Sequence, residues 1–373
     1  MKKKKVIVGI SGGVDSAVSA LLLKKQGYDV VGLFMRNWDS NLNNDFLGNN
    51  DLTTNDICTQ EQDFNDAIEI CKQLDIPLNR IDFVKEYWDK VFIYFIKEYE
   101  KGRTPNPDIL CNKYIKFDLF LEEAMKSFNG DYIAMGHYAG VNFNQKTQEY
   151  ELLKGEDDTK DQSYFLCKLN QTMLSKSLFP LASYKKRRVR EIALENKLVV
   201  SQKKDSTGIC FIGERNFTQF LQNYIPNQNG EIIDIETKAI IGHHIGVMYY
   251  TLGQRKGLNL GGQKEPYYVA KKDIENKKIF VTRLSNDKYL YSDKCIVDDV
   301  NWIVSLEKYV ENPESFRCSA KFRYRQQDVL VEVNKLNNNY LIIFDKKQRA
   351  VTPGQEAVFY LDNICIGGGT ISE

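Results

Sequence analysis

Gly9-Ile-Ser-Gly-Gly-Val-Asp-Ser16 follows a short apolar run, Val6 to Ile10, and precedes a helical-looking stretch, Ala17 to Gln26, so it stands where a strand hands over to a helix. Such a junction is suited to binding phosphate. Gly12 and Gly13 let backbone N–H groups approach an anion closely, Ser11 and Ser16 add hydroxyl donors, and the following helix directs its positive end at the same spot. The string lacks the Gly-Lys-Ser/Thr ending of a Walker loop.

Outward from this loop, residues 1 to about 200 alternate short apolar runs with helical segments. Val6 to Ile10, Val30 to Met35 and Tyr132 to Met135 read as strands; Phe64, Ala67, Ile68, Cys71 and Leu74 recur at helical spacing, and Phe117 to Phe128 carries a similar stripe. This alternation predicts a parallel sheet flanked by helices, with ligands at the carboxyl ends of the strands. The loop after Ile10, the turn from Met35 to Trp38 and Gly136-His137 are therefore expected to converge on one crevice. Beyond about residue 212, glycines, tyrosines and short strands take over. From about residue 286 onward, Phe316–Tyr324, Val329–Val333, Tyr340–Phe344, Ala357–Leu361 and Cys365–Ile371 read as strands of a small barrel or sandwich. The Asn- and Asp-rich stretch from Asn37 to Asn55 reads as a long mobile loop.

With 373 residues the chain is long enough for two or three domains, and 51 Lys plus Arg against 50 Asp plus Glu give a formal charge of +1. Overall charge therefore advertises no nucleic-acid partner, and any basic surface must be local. The apolar segments are too short for a signal peptide core or a membrane span, so a soluble cytoplasmic protein with no membrane partner is expected. Eight cysteines with no Cys-x-x-Cys pair fit neither a secreted disulfide framework nor a structural zinc site, and His243 and His244 lack matching ligands; no metal centre built from side chains is expected.

Two of the cysteines stand apart. Cys111 follows Arg103-Thr-Pro-Asn-Pro-Asp-Ile-Leu, with a helix expected to start near Lys113, and Cys210 lies in Lys203-Lys-Asp-Ser-Thr-Gly-Ile-Cys. Both are expected to be accessible and electropositive, which favours the thiolate. On the stretch Ser315 to Arg325, Phe316, Cys318, Ala320 and Phe322 fall on one strand face and Arg317, Lys321, Arg323 and Arg325 on the other, a basic row. The run from Lys185 to Arg190 reads as the solvated side of a helix.

The loop at Ser11–Ser16 resembles that of the ATP pyrophosphatases. Together with Thr104–Lys113, Met135-Gly-His-Tyr138, Lys160-Asp-Gln-Ser-Tyr-Phe165, Asp205–Gly213, Thr251-Leu-Gly-Gln-Arg-Lys-Gly-Leu258, Arg323-Tyr-Arg-Gln326 and Thr352-Pro-Gly-Gln355, it makes nearly the whole chain similar to the bacterial tRNA-specific 2-thiouridylases. The resemblance implies an α/β fold: an N-terminal parallel-sheet ATP pyrophosphatase domain over 1–205, a small mostly-β central domain over 206–285 and a C-terminal β-barrel over 286–373. It implies ATP and Mg²⁺ as cofactors, with Gly9, Ile10, Ser11, Gly12, Gly13, Val14, Asp15, Ser16, Met35 and Gly136 around the nucleotide. Its substrates would be the tRNAs for Lys, Glu and Gln, sulfurated at C2 of the wobble uridine, with sulfur supplied by a cysteine desulfurase or a sulfur-relay protein. The resemblance further implies a persulfide on Cys210 and a partner thiol, Cys111, that attacks or resolves it to leave a disulfide. Asn106, Pro107 and Asp108 would meet the target base, with Asp108 as acid or base, and His137, Lys160, Asp161, Gln162, Arg323, Tyr324 and Gln355 would touch tRNA. A different ATP pyrophosphatase, such as an amide-forming synthetase, would share the loop but not need the cysteine pair; an RNA-binding module without catalysis would need neither cysteine nor Asp108.

Overall fold

The computed structural model describes residues 3–47, 59–205, 212, 216–262 and 265–372. β1 (Lys5–Gly9), β2 (Asp29–Arg36), β3 (Leu78–Asp82), β4 (Tyr132–Ala134) and, after an excursion, β7 (Ser177–Leu178) form a parallel sheet in the order β3-β2-β1-β4-β7. The central strand is apolar from Val6 to Val8 because both its faces are covered there. Val6 and Val8 pack toward α1 (Val14–Lys25) and α2 (Thr59–Leu74), while Ile7 faces a second core shared with Leu33, Met35, Ile109, Cys111 and Phe117. In α2, Ala67, Ile70, Cys71 and Leu74 supply the buried stripe. The loop at Ser11–Ser16 joins β1 to α1 at the carboxyl edge of the sheet, as the alternation predicts.

A four-stranded sheet follows, in the order β10 (Tyr267–Asp273), β11 (Lys278–Arg283), β8 (Gly230–Asp234), β9 (Ile240–His244). The C-terminal region closes into a barrel of β12 (Tyr291–Trp302), β15 (Asn339–Arg349), β14 (Val329–Leu336), β13 (Ser315–Lys321), β16 (Glu356–Leu361) and β17 (Ile364–Ile371), with β12 pairing back to β17. Closure removes the free edges that an open sheet would leave. The excursion between β4 and β7 is a hairpin, β5 (Ala139–Asn144) with β6 (Glu149–Lys154), that adds to the barrel through Leu152↔Cys365 and Leu153↔Ile364. The N-terminal half thus lends two strands to the C-terminal sheet, which sequence order alone does not suggest.

Two expectations are corrected here. The described part of the Asn-rich stretch, Asn37 to Leu47, is packed: Trp38 is buried among Tyr87, Trp88, Phe92 and Phe220, and its indole N–H donates to Asp45. Asn223 accepts from the backbone N–H groups of Phe46 and Leu47. A single tryptophan supplies the burial that the polar composition concealed. Residues 48–58 lie outside the described residues. The strand expected from Phe316 to Tyr324 ends at Lys321, so the alternation does not continue through Arg323 and Arg325. No described helix is long and apolar enough to cross a membrane.

Candidate nucleotide and thiol site

The loop is shaped by close backbone approach. Gly12 has φ +73°, and a Cβ there would stand 2.3 Å from the Asp63 carbonyl oxygen, so no other residue fits without movement. A Cβ on Gly9 would meet Met135 Sδ at 2.7 Å and Met35 Cε at 3.6 Å, and one on Gly136 would lie 3.1 Å from Ser16 N. Gly9, Met35, Met135, Gly136 and the loop therefore converge, as expected for one crevice. Ser16 Oγ accepts from Ser11 N–H at 3.2 Å and donates to the Gly13 carbonyl at 3.0 Å, which fixes the loop from inside. Gly13 caps α1 without a side chain, and Ser11 is exposed, so the first-turn amides are left for an anion.

These features fit a nucleotide polyphosphate. Magnesium fits less directly. The loop's only carboxylate, Asp15, receives Lys186 Nζ on both oxygens at 2.7 and 2.8 Å and the Tyr138 hydroxyl at 2.8 Å, and no cluster of three metal-ligating side chains exists among the described residues. The ion fits as a companion of nucleotide phosphates rather than as a resident of a protein cage.

Lys186 also reaches Asp205 at 2.9 Å, and Asp205 takes Lys160 at 3.1 Å and Arg190 as well. Although burial opposes ionisation of Asp205, Lys186 and Lys160 outweigh it and hold its carboxyl well below the usual range. Below the loop, Lys203 Nζ donates to the Gly12 carbonyl at 3.0 Å and to Asp63 at 2.7 Å, bracing the left-handed turn. This corrects the reading of Lys185–Arg190 as merely solvated. In the helix Lys186–Glu195, Val189, Ile192 and Ala193 are buried, and Lys186 and Arg190 flank that face while Arg187 stays exposed. Helical phase against Val189 and Ile192 was the available signal for Lys186; Tyr138 stood only as the last residue of a family-like string, and nothing in the sequence marked Asp63.

The thiol segment also differs from expectation. Its helix starts at Pro107, not near Lys113: Asn106 is the N-cap and accepts from Asp108 N–H at 3.1 Å, with Pro107 at the first position. Cys111 falls at the end of this turn, which runs on into a π-helical stretch, Asn112–Leu119, and it is fully buried rather than accessible. Asp108 is half-buried in the first turn. Cys210 lies outside the described residues, as does its neighbourhood from 206 to 211.

Among the residues tied to tRNA by resemblance, several are engaged within the protein. His137 is buried against Phe117 and Phe179; burial, reinforced by Lys116, pushes its pKa well below 6.5. Asp161 is buried and accepts from Gly155 N–H, Ser163 and Lys321. Gln162 accepts from Tyr138 N–H, and the Tyr324 ring packs tilted against Phe165 with centroids 4.4 Å apart. Lys321 is buried between Asp161 and Asp328, and Arg317 pairs with Asp345, so the expected basic row is largely neutralised. Arg323 donates to the carbonyls of Leu252 and Ala350 and to Thr352 Oγ1, at 3.1, 2.7 and 2.8 Å. Gln355 Nε2 donates to the Thr104 carbonyl at 2.6 Å, Thr104 N–H to Pro353 O at 2.9 Å, and Thr104 Oγ1 meets Thr251 Oγ1 at 3.2 Å. Three stretches far apart in sequence thus meet two residues before Asn106.

A family model described as a tRNA methyl transferase HUP domain matches residues 4–214, one described as a tRNA methyl transferase PRC-barrel domain residues 218–283, and one described as an aminomethyltransferase beta-barrel domain residues 292–371. The chain is 63% identical to the tRNA-specific 2-thiouridylase MnmA of Mesoplasma florum over 99% of each chain. It is 60% identical to that of Mycoplasma capricolum, over 100% of this chain and 99% of the relative. Because these matches run the length of the chain and take in both the loop at Ser11–Ser16 and the helix bearing Cys111, the chain belongs to the tRNA-specific 2-thiouridylase family.

Proposed function

We propose that the protein is an ATP-dependent tRNA sulfurtransferase that converts the wobble uridine of the tRNAs for Lys, Glu and Gln to 2-thiouridine, in the cytoplasm, with units at 1–205, 206–285 and 286–373. A uridine C2 carbonyl is a poor electrophile, so its oxygen must first become a leaving group. ATP supplies that by transferring AMP to the oxygen and releasing pyrophosphate. Gly9 to Ser16 hold the phosphates, with Met35 and Gly136 beside them and Mg²⁺ carried on the nucleotide. Asn106, Pro107 and Asp108 receive the base, with Asp108 moving the proton. The terminal sulfur of a Cys210 persulfide, loaded by a desulfurase or relay protein, attacks C2, and AMP leaves. Cys111 then attacks Cys210 Sγ, freeing the sulfur on the base and closing a Cys111–Cys210 disulfide, which a reductant reopens. His137, Lys160, Asp161, Gln162, Arg323, Tyr324 and Gln355 shape the RNA-facing surround.

One observation supports the coupling of these parts above the others. The ion-pair chain from Asp15 through Lys186 to Asp205 ties the anion loop to a residue five positions before Cys210. The test is mass spectrometry of nucleosides from unmodified tRNA transcripts incubated with the protein, ATP, magnesium and a persulfide source. 2-Thiouridine is expected only when all are present; its absence, or its formation without ATP, overturns the reading.

A further inference from the structure

Among the described residues, buried side chains with polar atoms that have no hydrogen-bond partner include Asn37 at both Nδ2 and Oδ1, Asn43 at Nδ2, His137 at Nδ1 and Asn112 at Oδ1. Asn37 is the extreme case, fully buried with neither end of its carboxamide satisfied. Buried polar groups in native proteins are nearly always paired, and an exception needs a reason. Its surroundings locate it. In β2, Leu33 and Met35 face the core that holds Ile109 and Cys111, whereas Val30 and Phe34 face α1. Asn37 follows Arg36 at the end of β2, beside Trp38, which shares one core with Met35 and Cys111, and His137 packs on Phe117 and Phe179 of that core. The next residue, Trp38, packs on Trp88 and Phe92, and the turn Trp88–Phe92 packs in its turn on the helix Pro107–Cys111. Asn112 directly follows Cys111 and uses only its Nδ2, on the Phe165 carbonyl at 3.0 Å.

We propose that Asn37 reads the Watson–Crick edge of the target uracil, an inference that rests on the thiolation reading above. A carboxamide offers an adjacent acceptor and donor, which match uracil N3–H and O4. Pairing there leaves the C2 oxygen unencumbered for the reaction. With both polar atoms buried, the base has to displace neighbouring side chains to arrive, so the pairing energy is realised only on productive insertion. Adenine presents a comparable donor and acceptor, and Met35 lies only two residues away, so ATP affinity in the absence of tRNA separates the two bases.

The test is a two-by-two comparison of tRNA affinity: wild type and Asn37→Leu, each with transcripts bearing uridine or 3-deazauridine, which has C–H in place of N3–H, at the wobble position. Wild type is expected to prefer uridine by about tenfold and Asn37→Leu to show no preference. Without ligand, Asn37→Leu should melt no lower than wild type, because it removes unpaired polar atoms at similar volume. A preserved preference in the variant, a fall in its melting temperature, or a loss of ATP affinity in the absence of tRNA would each overturn the proposal, the last by assigning the carboxamide to adenine. Failure of wild type to form 2-thiouridine at all would instead sink the thiolation reading, which the base preference measured by binding does not depend on.

Discussion

Around Asp15 the charges gather at the mouth of the parallel sheet: Lys186 and Asp205 link the anion loop to the segment leading toward Cys210, and Lys203 braces Gly12 from below. Around Arg323, in the barrel, the same residue types are spent on the fold itself, with Lys321 held by Asp161 and Asp328 and Arg323 by two carbonyls and a hydroxyl. A basic row on a strand reports only which side chains share a face. Whether their charge is available to RNA depends on the acids and carbonyls that other elements bring opposite them. The lesson runs the other way for the Lys185–Arg190 run, where an apparently idle surface supplies the lysine that engages the loop.

The largest effect expected is at the thiols. Cys111→Ser and Cys210→Ser should each lower 2-thiouridine formation by about four orders of magnitude or more while tRNA-dependent ATP consumption persists. Full thiolation by either variant would remove the sulfur-carrying role from this site. Next comes Lys186→Ala, which leaves Asp15 and Asp205 without their shared cation and should weaken ATP binding by about 30- to 100-fold in a titration of the protein alone. Unchanged affinity would mean that the charges near the loop serve the fold, as those in the barrel do.

Arg323→Ala separates structure from RNA contact in the barrel. Stranding the Leu252 carbonyl, while the Thr352 hydroxyl still donates to the Ala350 carbonyl, should cost about 1–3 kcal/mol, visible as a lower melting temperature with ATP affinity unaltered. If stability holds and only tRNA affinity and its salt dependence fall, the barrel contrast drawn above fails.

A smaller effect is expected from pH. Because His137 stays neutral in the fold while the unfolded chain protonates near 6.5, its contribution to stability is full above that pH and declines as pH falls below it. Stability should decline progressively as pH falls below 6.5, and His137→Gln should melt with a flatter acid limb. An identical pH profile in the variant would show that the ring's burial carries no such cost. The smallest effect belongs to Arg187→Ala, next to Lys186 but exposed and, among the described residues, paired with Glu191 alone: neither ATP affinity nor melting temperature should move.

Local chemistry made much of this legible in the sequence. A glycine-rich turn between an apolar strand and a helix has one sensible geometry, and Gly12 adopts the left-handed φ that such a turn needs. Strand and helix periods likewise disclose the parallel sheet and the alternating strands of the barrel, because burial on one or both faces imposes them. What the tertiary structure alone decided is which groups meet across long separations. The hairpin Ala139–Lys154 pairs with the start of β17, more than two hundred residues away along the chain, which no local period encodes. Cys111 is buried because helices and strands close over it, whatever the polarity of its own string. Lys186 faces Asp15 and Lys321 faces Asp161 through packing of whole elements, so the fate of each charge was fixed by its distant neighbours and not by the residues beside it.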